Sequence, residues 1–328
     1  MVGLALFNSE ARALKAALGD TIAANVRPPE AGWTICPQAA FLLTAEFCSA
    51  DDYLVSSLAV NDIASFERIS RCTSDAIGSL RLHWPEYLME AGELGSYMFF
   101  ACAAATLFQH PASPVRHFLA NDIWRRLLTG MMMGGIVIAI VMSSWGKQSG
   151  AHFNPVVTLT FYRLGKVKFW DALFYIAGQC FGAVAGVALA MHVFLGALNN
   201  GAVHYAVTAP GEYGNSVAFL AEVTISFVMM STALFVANGE RSARYTPYIA
   251  GSLVATYITI EAPLSGMSMN PARAFGPALV ANYWHALWIY FIAPTLGMLG
   301  AAEVFLRVRR GTPPPCASCT TQLISAAS

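Results

Sequence analysis

Charge is what this chain of 328 residues has least of. Asp, Glu, Lys and Arg together supply 12% of it, about half the roughly 25% usual in soluble domains, so a soluble enzyme is the poorer class. Acidic and basic residues balance at 19 each. The basic ones form no long run of the kind that marks a nucleic-acid surface, and no nucleic-acid partner is expected. Cysteine is scattered, at Cys36, Cys48, Cys72, Cys102, Cys180, Cys316 and Cys319. Cys102 and Cys180 lie in apolar text, where a free thiol behaves as a small hydrophobe. Cys316 and Cys319 form a C-x-x-C in a Pro/Ser-rich tail, with no second Cys or His pair to complete a zinc site, so neither metal nor other cofactor is expected. No nucleophile, base and orienting group stand together as an enzyme would need. Nor is there a basic start followed by a sustained apolar core, so no signal peptide is expected.

What the chain has instead is apolar length, 56% of its residues. A bilayer crossing takes roughly 20 residues at a rise of about 1.5 Å each. Six candidate spans run about 86–108, 122–144, 168–194, 217–237, 245–263 and 284–307. After the second and after the fifth comes a shorter apolar piece, about 154–164 and 270–281, each opening on an Asn-Pro dipeptide. Asn is a favoured helix N-cap and Pro a favoured first helical residue, so Asn154-Pro155 and Asn270-Pro271 each spell a helix start. Each piece is long enough for half a crossing. A helix that stops inside a membrane must bury its end in protein or in a wet cavity.

Three spans with a half-span after the second, stated twice, make an inverted repeat, because each copy has an odd number of crossings. Inverted repeats with broken helices meeting near the midplane are an architecture for moving solutes. Both copies open on acids that hydrocarbon does not tolerate unpaired: Glu90 and Glu93 in the first span, Glu222 in the fourth. The expected fold is an all-α membrane protein of six transmembrane helices and two re-entrant half-helices.

Basic residues give an orientation. Lys147, Arg163, Lys166, Lys168, Arg241, Arg244, Arg307, Arg309 and Arg310 fall on one face, taken as cytoplasmic, which also places both termini there. The connection 196–215 has no Lys or Arg and belongs outside, while Arg116, Arg125 and Arg126 run against the rule. Three regions result. Residues 1–85 form an extension expected to be cytoplasmic and partly helical or disordered; within it the apolar stretch 38–60 is interrupted by Glu46, Asp51 and Asp52 and is not read as a seventh span. Residues 86–308 hold the repeats, about 86–195 and 216–308. Residues 309–328 read as a disordered tail.

The text around the two dipeptides resembles the aquaporin and glycerol-facilitator family, the major intrinsic proteins. Ser149–Thr158 reads SGAHFNPVVT and Ser265–Leu279 reads SGMSMNPARAFGPAL. The runs Tyr175–Ala183, with Gln179 and Gly182, and Trp288–Pro294, with Tyr290, also stand where the family has them. The resemblance covers about 86–308. It implies an aquaporin-like channel in a cell (plasma or inner) membrane, assembled as a homotetramer in the lipid bilayer, and excluding protons and ions.

It also implies roles. Asn154, Pro155, Val156, Asn270, Pro271 and Ala272 form the pore centre, where half-helix N-termini of partial positive charge meet, a device by which aquaporin pores exclude cations. Glu90 (or Glu93) and Glu222 hold the re-entrant loops. His152 packs on or hydrogen-bonds its loop rather than performing acid–base chemistry. Arg273 stands at the narrowest point, and the other filter positions fall at Gly134 (Met133 if the loop differs by one), Ile258 and Met267. Water-selective members place an aromatic and a His among these, and this chain has neither. Glycerol facilitators follow the arginine with Asp, and here Ala274 stands there. Val156 replaces the usual Ala and is expected to make the midpoint more apolar. The expected cargo is water with small neutral solutes such as glycerol, urea, hydrogen peroxide or ammonia. The rival classes are an ion-coupled secondary transporter, which needs an intramembrane carboxylate relay, and a poorly conducting junction or scaffold protein.

Overall fold

The computed structural model describes residues 63–309, with side chains from Asp75 onward, and no strand occurs among the described residues. The extension before Ile63, the stretch 38–60, the tail and the cysteines Cys36, Cys48, Cys316 and Cys319 lie outside them. In chain order the helices are α1 (Ile63–Gln109), α2 (Pro114–Phe118), α3 (Asp122–Met142), α4 (Ser144–Ser149), α5 (Pro155–Arg163), α6 (Phe169–Val193), α7 (Gly214–Ala237), α8 (Thr246–Ile260), α9 (Ala262–Ser265), α10 (Pro271–Ala281) and α11 (Ile289–Val308). Five of them, α1, α3, α6, α7 and α11, are long and apolar enough to cross a membrane.

Two boundaries differ from the sequence reading. The first helix begins well before residue 86. It runs from Ile63 through a kink at His83, whose φ/ψ of −120°/15° leaves the helical region two residues before Pro85. Proline disfavours the helical region for the residue before it and removes one backbone hydrogen bond, which accounts for a kink near this point. A side-chain clasp fixes it: Asp171 at the start of α6 accepts from Tyr87 Oη at 2.7 Å and pairs with His83 Nδ1 at 2.9 Å. The fifth span is also shorter than 245–263. α8 covers 15 residues, about 22 Å at 1.5 Å per residue against the roughly 30 Å of a hydrocarbon core. It ends at Glu261, and the four-residue α9 carries the chain on to Gly266.

The repeat is visible in the packing. α3 runs along α8 and α7 along α11, and each half-helix, α5 and α10, lies against both α6 and α11. Glycine permits the closest approaches. A Cβ on Gly182 of α6 would stand 2.0 Å from the Ala91 carbonyl oxygen of α1, and one on Gly297 of α11 would stand 2.5 Å from that of Val223 on α7. Gly134 of α3 and Gly251 of α8 meet in the same way, at 2.3 Å. Backbones this close leave no room for a side chain. Gly182→Val is therefore expected to cost about 3 kcal/mol or more, read as loss of the monodisperse peak and a lowered unfolding temperature in detergent. Gly135→Ala, at a site with nothing within 4 Å, should leave both unchanged.

Candidate functional site

Each half-helix begins as its dipeptide demands. Asn154 is extended (φ −156°, ψ 120°) and its side-chain oxygen accepts from Val156 N at 2.9 Å. Asn270 is likewise extended and caps two groups, Ala272 N at 3.0 Å and Arg273 N at 3.1 Å. The remaining polar atom of each amide crosses to the other half. Asn154 Nδ2 donates to the Met269 carbonyl at 2.8 Å, and Asn270 Nδ2 donates to the Phe153 carbonyl at 2.7 Å. The two half-helix tips are thus hydrogen-bonded to one another. A primary amide has two hydrogens, so one on each Asn remains beyond this tie.

The loops leading to the tips need help, because their amides are inside protein with no helical partner. Glu90, fully buried, accepts from His152 N at 2.7 Å and Phe153 N at 2.6 Å through its two oxygens. Glu222, also fully buried, accepts from Ser268 N at 2.7 Å and Met269 N at 2.8 Å. These are the residues two and one before each Asn. Tyr175 Oη donates to the Ser149 carbonyl at 2.8 Å and Tyr290 Oη to that of Ser265 at 2.6 Å, each five residues before its Asn. Gly150 (φ 94°) and Gly266 (φ 81°) turn the chain in the left-handed region, followed by Ala151 at 50° and Met267 at 51°. Non-glycine residues held there cost on the order of 1 kcal/mol each, and the carboxylate bonds offset that strain.

Of the two candidate acids in the first span, Glu90 thus takes the loop backbone. Glu93 instead accepts from the Ser149 hydroxyl at 2.9 Å. His152 does not reach a reaction partner: its ring stacks on Phe161 and its Nδ1 pairs with Thr158 Oγ1 at 3.0 Å.

A cavity of about 220 Å³ runs past these tips. His152, Phe153, Asn154, Met267, Met269, Asn270 and Arg273 line it, with Val137 and Val141 of α3 and Ala250 and Val254 of α8. Arg273 meets no carboxylate among the described residues; its Nε and Nη1 are buried without a hydrogen-bond partner. Ile258 continues the Ala250–Val254 stripe by one helical turn and is packed against the core.

Three expectations shift. Val156 is buried and lies outside the cavity lining, where Val157 stands instead, so its extra bulk fills the core. Ala272 is fully buried too. Gly134 faces Gly251 across the α3–α8 contact, while Met133 lies one turn from Val137 on the cavity-facing stripe and is buried in the same cluster as Met267 and Val254.

The Major intrinsic protein family profile matches residues 83–305, two thirds of the sequence. The chain belongs to the major intrinsic protein family. It is 31% identical to Aquaporin NIP2-3 of Zea mays over 70% of its own length and 71% of that protein. It is 36% identical to Aquaporin NIP6-1 of Arabidopsis thaliana over 53% and 56%. The aquaglyceroporin of Plasmodium falciparum shares the fold, with a TM-score of 0.60 at 18% identity over 69% of this chain and 96% of that one. This major intrinsic protein is accordingly an integral multi-pass membrane protein and a channel for water and small solutes, with no enzymatic role.

The motifs pointed to the Asn residues, the acids and Arg273. They did not assign roles to Ser149 and Ser265, to Tyr175 and Tyr290, or to Gln179, which donates to Glu90 at 2.7 Å and Thr158 at 3.0 Å. The signal for the serines was their matched distance from each Asn, and the tyrosines stand at nearly matched distances after it. Glu222→Gln puts an amide NH₂ against a backbone N–H, and loss of one charge-assisted bond costs about 1.5–3 kcal/mol. The expected result is a lowered unfolding temperature in detergent, together with reduced osmotic water permeability in proteoliposomes.

Proposed function

We propose that this channel passively conducts water together with small uncharged solutes, glycerol and urea foremost, through a filter formed by Met133, Ile258, Met267 and Arg273. The observation that carries this reading is the cavity beside the paired tips. It is walled mainly by aliphatic, thioether and aromatic side chains, and its polar groups include the two Asn amides, loop backbone, His152, Tyr97 and the Arg273 guanidinium. A solute hydroxyl or amide can take hydrogen bonds from Asn154, Asn270 and Arg273 in passing, while its carbon frame rides on Val and Met. Thioether sulfur is a weak acceptor, so the wall gives water little to compete for. The aquaporin and aquaglyceroporin names of similar proteins accord with this cargo.

Ion coupling finds no support in the lining, which contains no Asp or Glu. The buried acids Glu90 and Glu222 are occupied by loop amides. Cation exclusion rests on Arg273 and on two half-helix N-termini of about half a positive charge each. Like charges about 4 Å apart repel by about 4 kcal/mol at an effective dielectric near 20. The exposed apolar faces of the spans suit a bilayer and the homotetramer that the family resemblance implies. The basic residues after α3, α7 and α11 support cytoplasmic termini.

Stopped-flow light scattering on proteoliposomes under sucrose, glycerol and urea gradients tests the reading. Wild type is expected to pass water, glycerol and urea; a channel that passes water and rejects both solutes refutes the solute assignment. Arg273→Val should raise solute flux and admit cations. Met133→Trp should cut glycerol and urea flux by about tenfold or more while water still passes. If Met133→Trp leaves all three unchanged, Met133 is not in the filter.

A further inference from the structure

Beside the filter, the Ser265 hydroxyl stands between two carboxyl groups. It lies 2.7 Å from Glu222 Oε1, hydrogen-bonds Glu261 Oε1, and accepts the Met267 N–H at 3.1 Å. A hydroxyl has one hydrogen to give, so it can bridge to one carboxyl oxygen. The other contact closes only if a carboxylic acid supplies the second hydrogen. Glu222 uses both its oxygens to accept from backbone N–H groups. Glu261 has nothing on Oε2 and is 7% exposed. The proton therefore belongs on Glu261, which donates to Ser265, which donates to Glu222.

We infer that Glu261 is a specificity-determining residue of the Arg273 end of the pore, holding a proton that keeps this end from attracting cations. The inference rests on the channel reading above and adds a group outside the filter positions. Glu261 caps the end of α8 and lies within electrostatic reach of Arg273 and Glu222. With Glu261 neutral, Arg273 and Glu222 balance, and the arginine is the member of the pair that lines the cavity. Ionised, Glu261 leaves the group net negative and breaks the Ser265 bridge that fixes Met267.

The other titratable groups around this corner are Tyr290 of α11, which bonds the Ser265 carbonyl, Tyr257, one turn back on α8 with its hydroxyl unpartnered, Tyr97 and Cys102 of α1, both within electrostatic reach of Arg273, and Tyr283, within reach of Tyr290. Arg126 of α3 bonds the Thr259 carbonyl. The first repeat has a similar serine, Ser149, bonded to Glu93 beside Glu90 and accepting the Ala151 N–H at 3.0 Å, but its loop has no arginine matching Arg273.

The full chain in proteoliposomes decides it, by potassium efflux from about pH 5 to about pH 9. Wild type is expected to leak on the order of tenfold more at the alkaline end, Glu261→Asp to keep a rise, and Glu261→Gln to stay low and flat. A flat wild type, or a Glu261→Gln channel that rises with it, overturns the inference. Infrared spectra of the same membranes give a second reading that needs no conduction. Wild type should show the carbonyl band of protonated carboxylic acids, and Glu261→Gln should lose part of its intensity, the rest belonging to buried acids such as Glu93; a Glu261→Gln band equal to that of wild type also overturns the inference. Failure of the channel reading would show separately, as absent water and solute flux with the band in place.

Discussion

Everything in this molecule depends on a backbone that turns back inside hydrocarbon with the amides just before each Asn satisfied inside the protein. Two loops do this, and neither can borrow water from lipid. The solution is one buried carboxylate for each loop, placed on a neighbouring span, whose two oxygens take the two amides just before the Asn. A neutral acceptor would serve one amide and leave the other unpaired at a cost of about 1–3 kcal/mol. An ionised group can remain there because its oxygens are filled by donors. The acid that looks costly by composition is therefore the piece that makes the re-entrant path stable.

Once the loops are fixed, the pore follows. The Asn amides tie each tip to the carbonyl preceding the other, so neither half-helix can shift without its partner. This rigidity places Arg273, three residues into α10, at a fixed position on the cavity wall, and leaves its Nε and Nη1 free of protein partners. Close glycine contacts between α1 and α6, α3 and α8, and α7 and α11 hold the frame around the tips.

Much of this was legible in the sequence, because its strongest signals are local. Asn-Pro dictates a cap and a helix start whatever surrounds it, and two of them in register with an odd number of spans dictate inversion. The acids were legible for the opposite reason, since charge in apolar text demands a partner. What was not legible depended on geometry between elements. The choice between Glu90 and Glu93 turns on one helical turn of rotation. The sequence left the filter position on α3 between Gly134 and Met133, and only the packing shows Gly134 against Gly251 and Met133 one turn from Val137, which lines the cavity. Val156 follows its cap directly, yet its side chain faces the core, because successive residues of a helix diverge by about 100°. The end of α8 at Glu261 has no apolar signature at all.

The repeats also show where selectivity can reside. Their shared parts, the capping Asn, the loop carboxylate, the tyrosine on the serine carbonyl and the left-handed glycine, are the parts the backbone needs, and they recur in both copies. Residues present in one copy only are free of that demand. Arg273 and Glu261 belong to the second repeat, and His152 with its Phe161 stack to the first. An inverted pair with identical loops would present the same surface to both sides of the membrane. A channel that discriminates by charge at one end needs its two halves to differ, and they differ at the positions that scaffold chemistry leaves unconstrained.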